Sequence, residues 1–273
     1  MHSHKIGGVL VSCKITILLD NSAPATLEAE HGLSLFVETP ESKFIFDCGQ
    51  TGMAWRNAER LGVRLLSARF VVISHSHYDH AQGFPSLLRY VKPEVLYTGP
   101  FFWKEKYSFD KESGQYLYKG CGFKASDLAD WGIEHRVCEG LVSLDDTAQL
   151  ITGFDMRCPF EQIPSKFRRG DAKEPDTFED EVCLLLKEGD GIALVMGCSH
   201  RGILNIVSAV QERTGLPVRR ILGGIHLDGA SQERVERTLQ ELDRLGIHEL
   251  DLCHCSGNAV QRKITTGSVI ELK

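Results

Sequence analysis

His75, His77, Asp79 and His80 place four metal-ligand side chains within six positions, in the segment Phe70-Val-Val-Ile-Ser-His-Ser-His-Tyr-Asp-His80. In extended backbone, residues two apart point to the same side, so His75 and His77 can present both imidazoles to one ion. Asp79 and His80 come where the chain is expected to turn into a helix over His80 to Tyr90. They therefore point differently and suit a second, adjacent ion. Asp79 also reads as the N-cap of that helix.

The elements that must position these groups are legible around them. Val71, Val72 and Ile73 are β-branched and predict a buried parallel strand, with the polar residues at its carboxyl edge, where open α/β sheets place their chemistry. Lys14–Leu19, Leu33–Glu38 and Lys43–Phe46 read as successive antiparallel strands, and Thr51–Leu61 as a short helix. From Val95 to about Glu181 the periodicity loosens. This stretch holds Phe101, Phe102, Trp103, Tyr107, Phe109, Tyr116, Tyr118 and Trp131, and predicts a loop-rich region, at about 98–181, that covers a site and offers aromatics to a flat ring or packs them beneath itself. Within it, Lys166, Arg168, Arg169 and Lys173 form a basic cluster suited to phosphate or carboxylate, or simply to solvent.

The second half repeats the plan of the first. A hairpin of Val182–Leu186 and Ile192–Met196 leads to a helix from Ile203 to about Arg213, strand Val218–Leu222, helix Gln232–Leu245, strand Glu249–Cys253, and a last helix and strand from Asn258 onward.

Length and composition bound the rest. The 273 residues, 42% hydrophobic, can bury a core without staples. The net charge of −6, with 31 basic and 37 acidic residues, argues against a general nucleic-acid binder. No apolar run approaches the roughly 18 to 20 residues that span a bilayer, and Met1 to Gly8 lacks the pattern of a secretion signal, so a cytoplasmic protein with no membrane partner is expected. Nine scattered cysteines, an odd number without CxxC pairs, are expected to be reduced.

The HxHxDH run behind an apolar strand resembles the metallo-β-lactamase superfamily, whose defining motif it is. The resemblance covers nearly the whole chain and implies one domain over 1–273, an α/β fold built as a four-layer αββα sandwich. It also implies roles for residues outside the run. Asp47, in Phe44-Ile-Phe-Asp-Cys-Gly49, matches the strand-end aspartate and is expected to orient the ligand histidines by accepting a ring N–H. His200, in Gly197-Cys-Ser-His200, matches the third histidine and would complete a site with His75 and His77. His254, in Cys253-His-Cys255, matches the last and would join Asp79 and His80. The phrases Ala29-Glu-His-Gly-Leu-Ser34, Gly223-Gly-Ile-His-Leu227 and His254-Cys-Ser-Gly257 resemble the branch called metal-dependent hydrolases, class II. That branch includes the 7,8-dihydropterin-6-methyl-4-(β-D-ribofuranosyl)aminobenzene-5′-phosphate synthases.

One position departs from the superfamily pattern. Where many of its hydrolases carry a bridging aspartate, this chain has His226, and a single neutral imidazole nitrogen cannot bridge as a carboxylate does. His226 is therefore a ligand of one ion or an acid/base group, or Asp228 takes over the bridging role.

The implied cofactor is one or two divalent ions, zinc, manganese or iron. Cys48, Cys198, Cys253 and Cys255 lie beside the motifs as soft ligands, redox-sensitive thiols or packing residues. The expected activity is a metal-dependent hydrolase acting on a small molecule, phosphorylated or with a flat ring. Asp79 and His226 are its catalytic candidates, and Glu30, His31, Arg168 and Arg169 its substrate contacts. Two other readings remain: a transferase that releases pyrophosphate from a dihydropterin pyrophosphate, and an iron-binding redox or sensor protein.

Overall fold

The computed structural model describes residues 13–258, 260 and 264–273. The reading of Met1 to Gly8 for a leader lies outside them, as does most of the helix expected from Asn258.

Alternation of apolar side chains builds the layers. In Lys43–Phe46 the rings of Phe44 and Phe46 point one way and Ile45 the other; in Val182–Glu188, Val182, Leu184 and Leu186 oppose Cys183 and Leu185. The first set in each case packs between two sheets. The seven-stranded sheet runs in the order Val269–Leu272, Cys13–Leu19, Ser34–Glu38, Lys43–Phe46, Phe70–Val72, Val95–Thr98, Glu134–Val137. The six-stranded sheet runs Glu249–Leu252, Val218–Gly223, Gly191–Met196, Val182–Glu188, Ala148–Thr152, Leu141–Ser143.

The outer faces carry helices. Trp55 and Ala58 of helix Met53–Arg60, with Phe84 and Leu87, cover Ile45, Val71 and Leu96. Ile206 and Val210 of helix Ile203–Thr214, and Val235 and Leu242 of helix Gln232–Arg244, cover Leu185, Leu194 and Ile221. The result is the expected αββα sandwich. Each large side chain buried in these layers contributes about 1.5–3 kcal/mol.

The structure differs from the sequence reading in two places. The helix expected over His80–Tyr90 is broken into two single turns, Tyr78–Ala81 and Phe84–Leu87. Pro85 lacks an N–H and fits only a first helical turn, so a new turn begins there. Gly83 lets this corner close on the Asp47 turn. Its N–H donates to the Gly49 carbonyl at 3.0 Å, and a Cβ there would run into the Cys48 and Thr51 carbonyl oxygens. Gly83→Ala is therefore expected to destabilise by about 1–3 kcal/mol, as overpacking against rigid backbone does; urea unfolding of both proteins checks this.

The second difference is that the region expected to be loop-rich, though mostly turns and loops, also carries short strands and one helix, Ala125–Trp131. Val95–Thr98 and Glu134–Val137 extend the first sheet, and Leu141–Ser143 and Ala148–Thr152 the second. A further four-stranded sheet, Glu174–Pro175, Phe167–Arg169, Lys106–Asp110, Gln115–Tyr118, lies over the carboxyl ends of the ligand-bearing strands. These strands are short and several pair with distant segments, as Phe167 does opposite Ser108, so no local period announces them. Among the described residues no helix is long and apolar enough to cross a membrane.

Candidate metal centre

Two serines fix the first histidines. The Ser74 N–H donates to Asp47 Oδ1 at 2.7 Å and its hydroxyl to Asp47 Oδ2 at 2.8 Å. Two residues on, Ser76 gives both its N–H and its hydroxyl to Asp180 Oδ2 at 3.0 Å. His75 and His77 alternate with these serines, so both aspartates restrain the imidazoles from behind. The ligand-bearing strands end in tight turns whose residues adopt left-handed backbone without being glycine: Asp47, Ser199, His226 and His254.

The histidines converge in two adjacent groups. His75 Nε2 and His77 Nδ1 lie 3.2 Å apart, and one donor atom from each of His75, His77 and His200 falls within 4.8 Å of the others. His80 Nε2 lies 3.1 Å from His254 Nε2, and Asp79 Oδ2 lies 3.6 Å from the former and 3.3 Å from the latter. Behind this second group, His80 Nδ1 bonds Asp47 Oδ2 at 2.7 Å and His254 Nδ1 bonds Asn21 Oδ1 at 2.9 Å.

This arrangement fits divalent metal. With Nδ1–H donated to Asp47 and Asn21, the Nε2 atoms of His80 and His254 converge to 3.1 Å beside Asp79 Oδ2, the spacing of ligands that share one cation. Among the described residues His77 Nε2 and both ring nitrogens of His200 are buried without a hydrogen-bond partner, a state costly for any polar group that has no other ligand.

The electrostatics separate the groups. Burial pushes His77 down to about 3 and His226 down to about 4, and lowers His75, His200 and His254 as well. These imidazoles are neutral at pH 7 and their lone pairs are free to coordinate. Burial also lowers His80, but the Asp47 and Asp79 carboxylates outweigh it and raise this ring to about 9. Desolvation raises Asp79, yet His80, His254 and His31 together hold it well below the usual carboxylate range. Glu181, which accepts the His200 N–H at 2.6 Å, is pushed up by burial to about 7.

A cavity of about 310 Å³ opens over both groups. His77, Asp79, His200, His226 and His254 are part of its lining, and His226 sits beside His200 with ring centroids 4.4 Å apart. His31 stands at the mouth, half exposed, its Nε2 3.2 Å from Asp79 Oδ2. Asp228 also lines the cavity but is exposed.

Three of the expected substrate contacts lie elsewhere. Glu30 commits its carboxylate to the Gln50 and Thr51 N–H groups and the Thr51 hydroxyl, closing the turn before helix Met53–Arg60. Arg169 pairs with Glu179 at 2.5 Å, and neither it nor Arg168 lines the cavity. Of that basic cluster Lys166 does, from the turn before Phe167–Arg169, joined by Lys119 just after Gln115–Tyr118, two strands away in the small sheet. Sequence reasoning missed Asn21, Asp180 and Lys119. Asn21, next to Asp20 after a strand end, is the one whose position offered a signal.

The chain is similar to known proteins along most of its length. The family signature described as metallo-beta-lactamase superfamily matches residues 27–109. An uncharacterized protein of Methanocaldococcus jannaschii is 27% identical over 253 residues, covering 92% of this chain and 93% of that one. A 7,8-dihydropterin-6-methyl-4-(beta-D-ribofuranosyl)-aminobenzene-5'-phosphate synthase of the same organism is 25% identical over 249 residues, covering 84% and 82%. Among solved structures, a metal-dependent hydrolase of the beta-lactamase superfamily superposes with a TM-score of 0.79 at 27% identity, over 94% of this chain and 98% of that one. Human tRNase Z, short form, shares the fold at a TM-score of 0.54 and 16% identity, over 95% and 99%.

Proposed function

Because the chain belongs to the metallo-β-lactamase superfamily, we propose that it is a metal-dependent hydrolase acting on a small anionic molecule with a flat ring. The observation that carries this reading is the pair of donor groups, His75/His77/His200 and Asp79/His80/His254, side by side on the floor of one cavity. Divalent ions held there would supply Lewis acidity, polarising water and an ester or phosphoryl oxygen.

The residues themselves do the rest. Asp47 and Asn21 hold the tautomers of His80 and His254. His226, neutral at pH 7, lies at the cavity wall as a proton acceptor beside the reacting atoms. Lys119 and Lys166 offer two ammonium groups to the far end of a bound molecule, and neither has a carboxylate partner among the described residues. Phe167, Tyr78 and His31 offer ring faces between that end and the floor.

A second reading, a synthase that condenses a pterin carrying a pyrophosphate leaving group with an aromatic amine phosphate, is supported by the 25% identity to such an enzyme. The same lysines and rings would serve it. Incubation with phosphodiesters, lactones and a dihydropterin pyrophosphate in ¹⁸O-labelled water separates the two. Incorporation of ¹⁸O without any amine supports hydrolysis; pyrophosphate release that requires the aromatic amine supports the synthase. Metal content dominated by iron, with oxygen consumption and neither activity, would overturn both.

For either substrate, Lys119→Ala and Lys166→Ala should each raise KM about tenfold for a phosphorylated substrate, through loss of one charge-assisted hydrogen bond, with kcat little changed. Steady-state kinetics on phosphorylated and dephosphorylated forms of one substrate checks this, since the neutral form should show no such rise.

A further inference from the structure

The second donor group contains one atom more than the superfamily pattern supplies. Cys198 Sγ is buried and lies 3.2 Å from His80 Nε2, the nitrogen that also faces His254 Nε2 and Asp79 Oδ2. A tetrahedral ion with nitrogen and oxygen ligands near 2.0 Å and sulfur near 2.3 Å sets its donors about 3.3 Å apart, or about 3.5 Å for a nitrogen–sulfur edge. The separations here run from 3.1 to 3.6 Å. Asp79, His80 and His254 therefore converge at the spacing of one coordination shell, with Cys198 Sγ at ligand distance from His80 and within 4.8 Å of the His254 donor atom.

The sulfur also faces the other group. The donor atoms of His75, His80 and Cys198 lie within 4.8 Å of one another, which sets Cys198 at the boundary between the two sites. His226, at the sequence position of the bridging carboxylate, instead sits against His200 and has one nitrogen to offer. Cys255 Sγ also falls within 4.8 Å of the Cys198 and His254 donor atoms, but its thiol points to the Cys198 carbonyl at 3.7 Å, so Cys255→Ser serves as the control.

We propose that Cys198 is a thiolate ligand of the metal centre, binding the ion held by Asp79, His80 and His254 from the side that faces the three-histidine group. The S–H bond gives its proton to solvent as the sulfur–metal bond forms, and no electron is transferred. A thiolate among imidazoles selects zinc or ferrous iron over manganese or magnesium. This rests on the metal-centre reading above, but fails separately from it.

The test is X-ray absorption at the zinc edge of the zinc-loaded full chain, with metal counted per chain. The cobalt-loaded protein, read for a near-ultraviolet thiolate-to-cobalt band, provides the second measurement. A sulfur shell at about 2.3 Å and the cobalt band are expected in the wild type and in Cys255→Ser, and should disappear in Cys198→Ser. A metal-loaded wild type without sulfur scattering, or a sulfur signal lost in Cys255→Ser, overturns the proposal, and so does a signal kept in Cys198→Ser. If Cys198→Ser does not fold, the wild type and Cys255→Ser decide. A wild type that takes up no metal overturns the centre itself.

Discussion

His200→Ala and His75→Ala should each strip the three-histidine ion and lower activity more than a hundredfold, while leaving the metal-free fold as stable as before. Losing an outer partner of a ligand typically costs 10–100-fold in metal affinity or activity, so losing a ligand of three should exceed about that range. The stability half of the expectation comes from burial. Both ring nitrogens of His200 are buried without a partner, so removing the ring also removes a desolvated polar group. That gain offsets the packing the ring contributed, which includes its stacking on Phe178 with centroids 3.8 Å apart. With metal present the sign reverses, because an ion that binds only the folded state stabilises it in proportion to the logarithm of its excess over Kd, and the variants forfeit that stabilisation. Elemental analysis and calorimetry, each with and without chelator, read all of this. A variant that kept its full metal content would mean that these histidines are not the ligands.

How far the sequence led depends on the distance over which each signal acts. Lys43–Phe46 is a strand with the bounds its alternation predicts, because a half-buried strand writes its period into adjacent residues. His75 and His77 meet because they are two apart on extended backbone, which is again local. The helix expected over His80–Tyr90 failed at Gly83 and Pro85, where a close backbone approach and a missing N–H outweighed apolar spacing. The short strands inside the loop-rich segment 98–181 were not legible for a different reason: strands such as Phe167–Arg169 are held by partners some sixty residues away. Glu30 and Arg169 have the chemistry of substrate contacts, and only the fold reveals that a turn and Glu179 have already taken them. Asn21 and Asp180, which hold His254 and Ser76, are placed by the same non-local packing.

The buried ion cluster beneath the site should be the other large effect. Lys106 Nζ, 2.7 Å from Asp180 and 2.8 Å from Asp176, is almost wholly enclosed and lies over the Phe178 ring at 4.6 Å. It therefore touches both restraints of the three-histidine group, Asp180 behind Ser76 and Phe178 against His200. Burial alone would lower the Lys106 ammonium, but the two carboxylates outweigh it and hold it above its ordinary value. Desolvation raises Asp180 too, and Lys106 more than reverses this, whereas burial leaves Asp176 raised. Lys106→Met keeps the stem and deletes the charge, so two carboxylates remain buried without a cation. Breaking such a cluster costs about 3–5 kcal/mol, whereas deleting all its charges together costs far less. Lys106→Met/Asp176→Asn/Asp180→Asn should therefore recover most of the loss.

The sign with pH is the discriminating part. In the wild type the lowered Asp180 contributes stability that is present above the ordinary carboxylate pKa and lost as pH falls through its folded value; Asp176 runs the other way. In Lys106→Met both carboxylates are raised, so the contribution of each is present at acid pH and lost as pH rises through the folded values. The stability gap between variant and wild type should thus be widest near neutrality and close toward acid. Urea unfolding across that window measures it. A gap that stayed constant with pH would mean that Lys106 acts through its packed stem rather than through its charge.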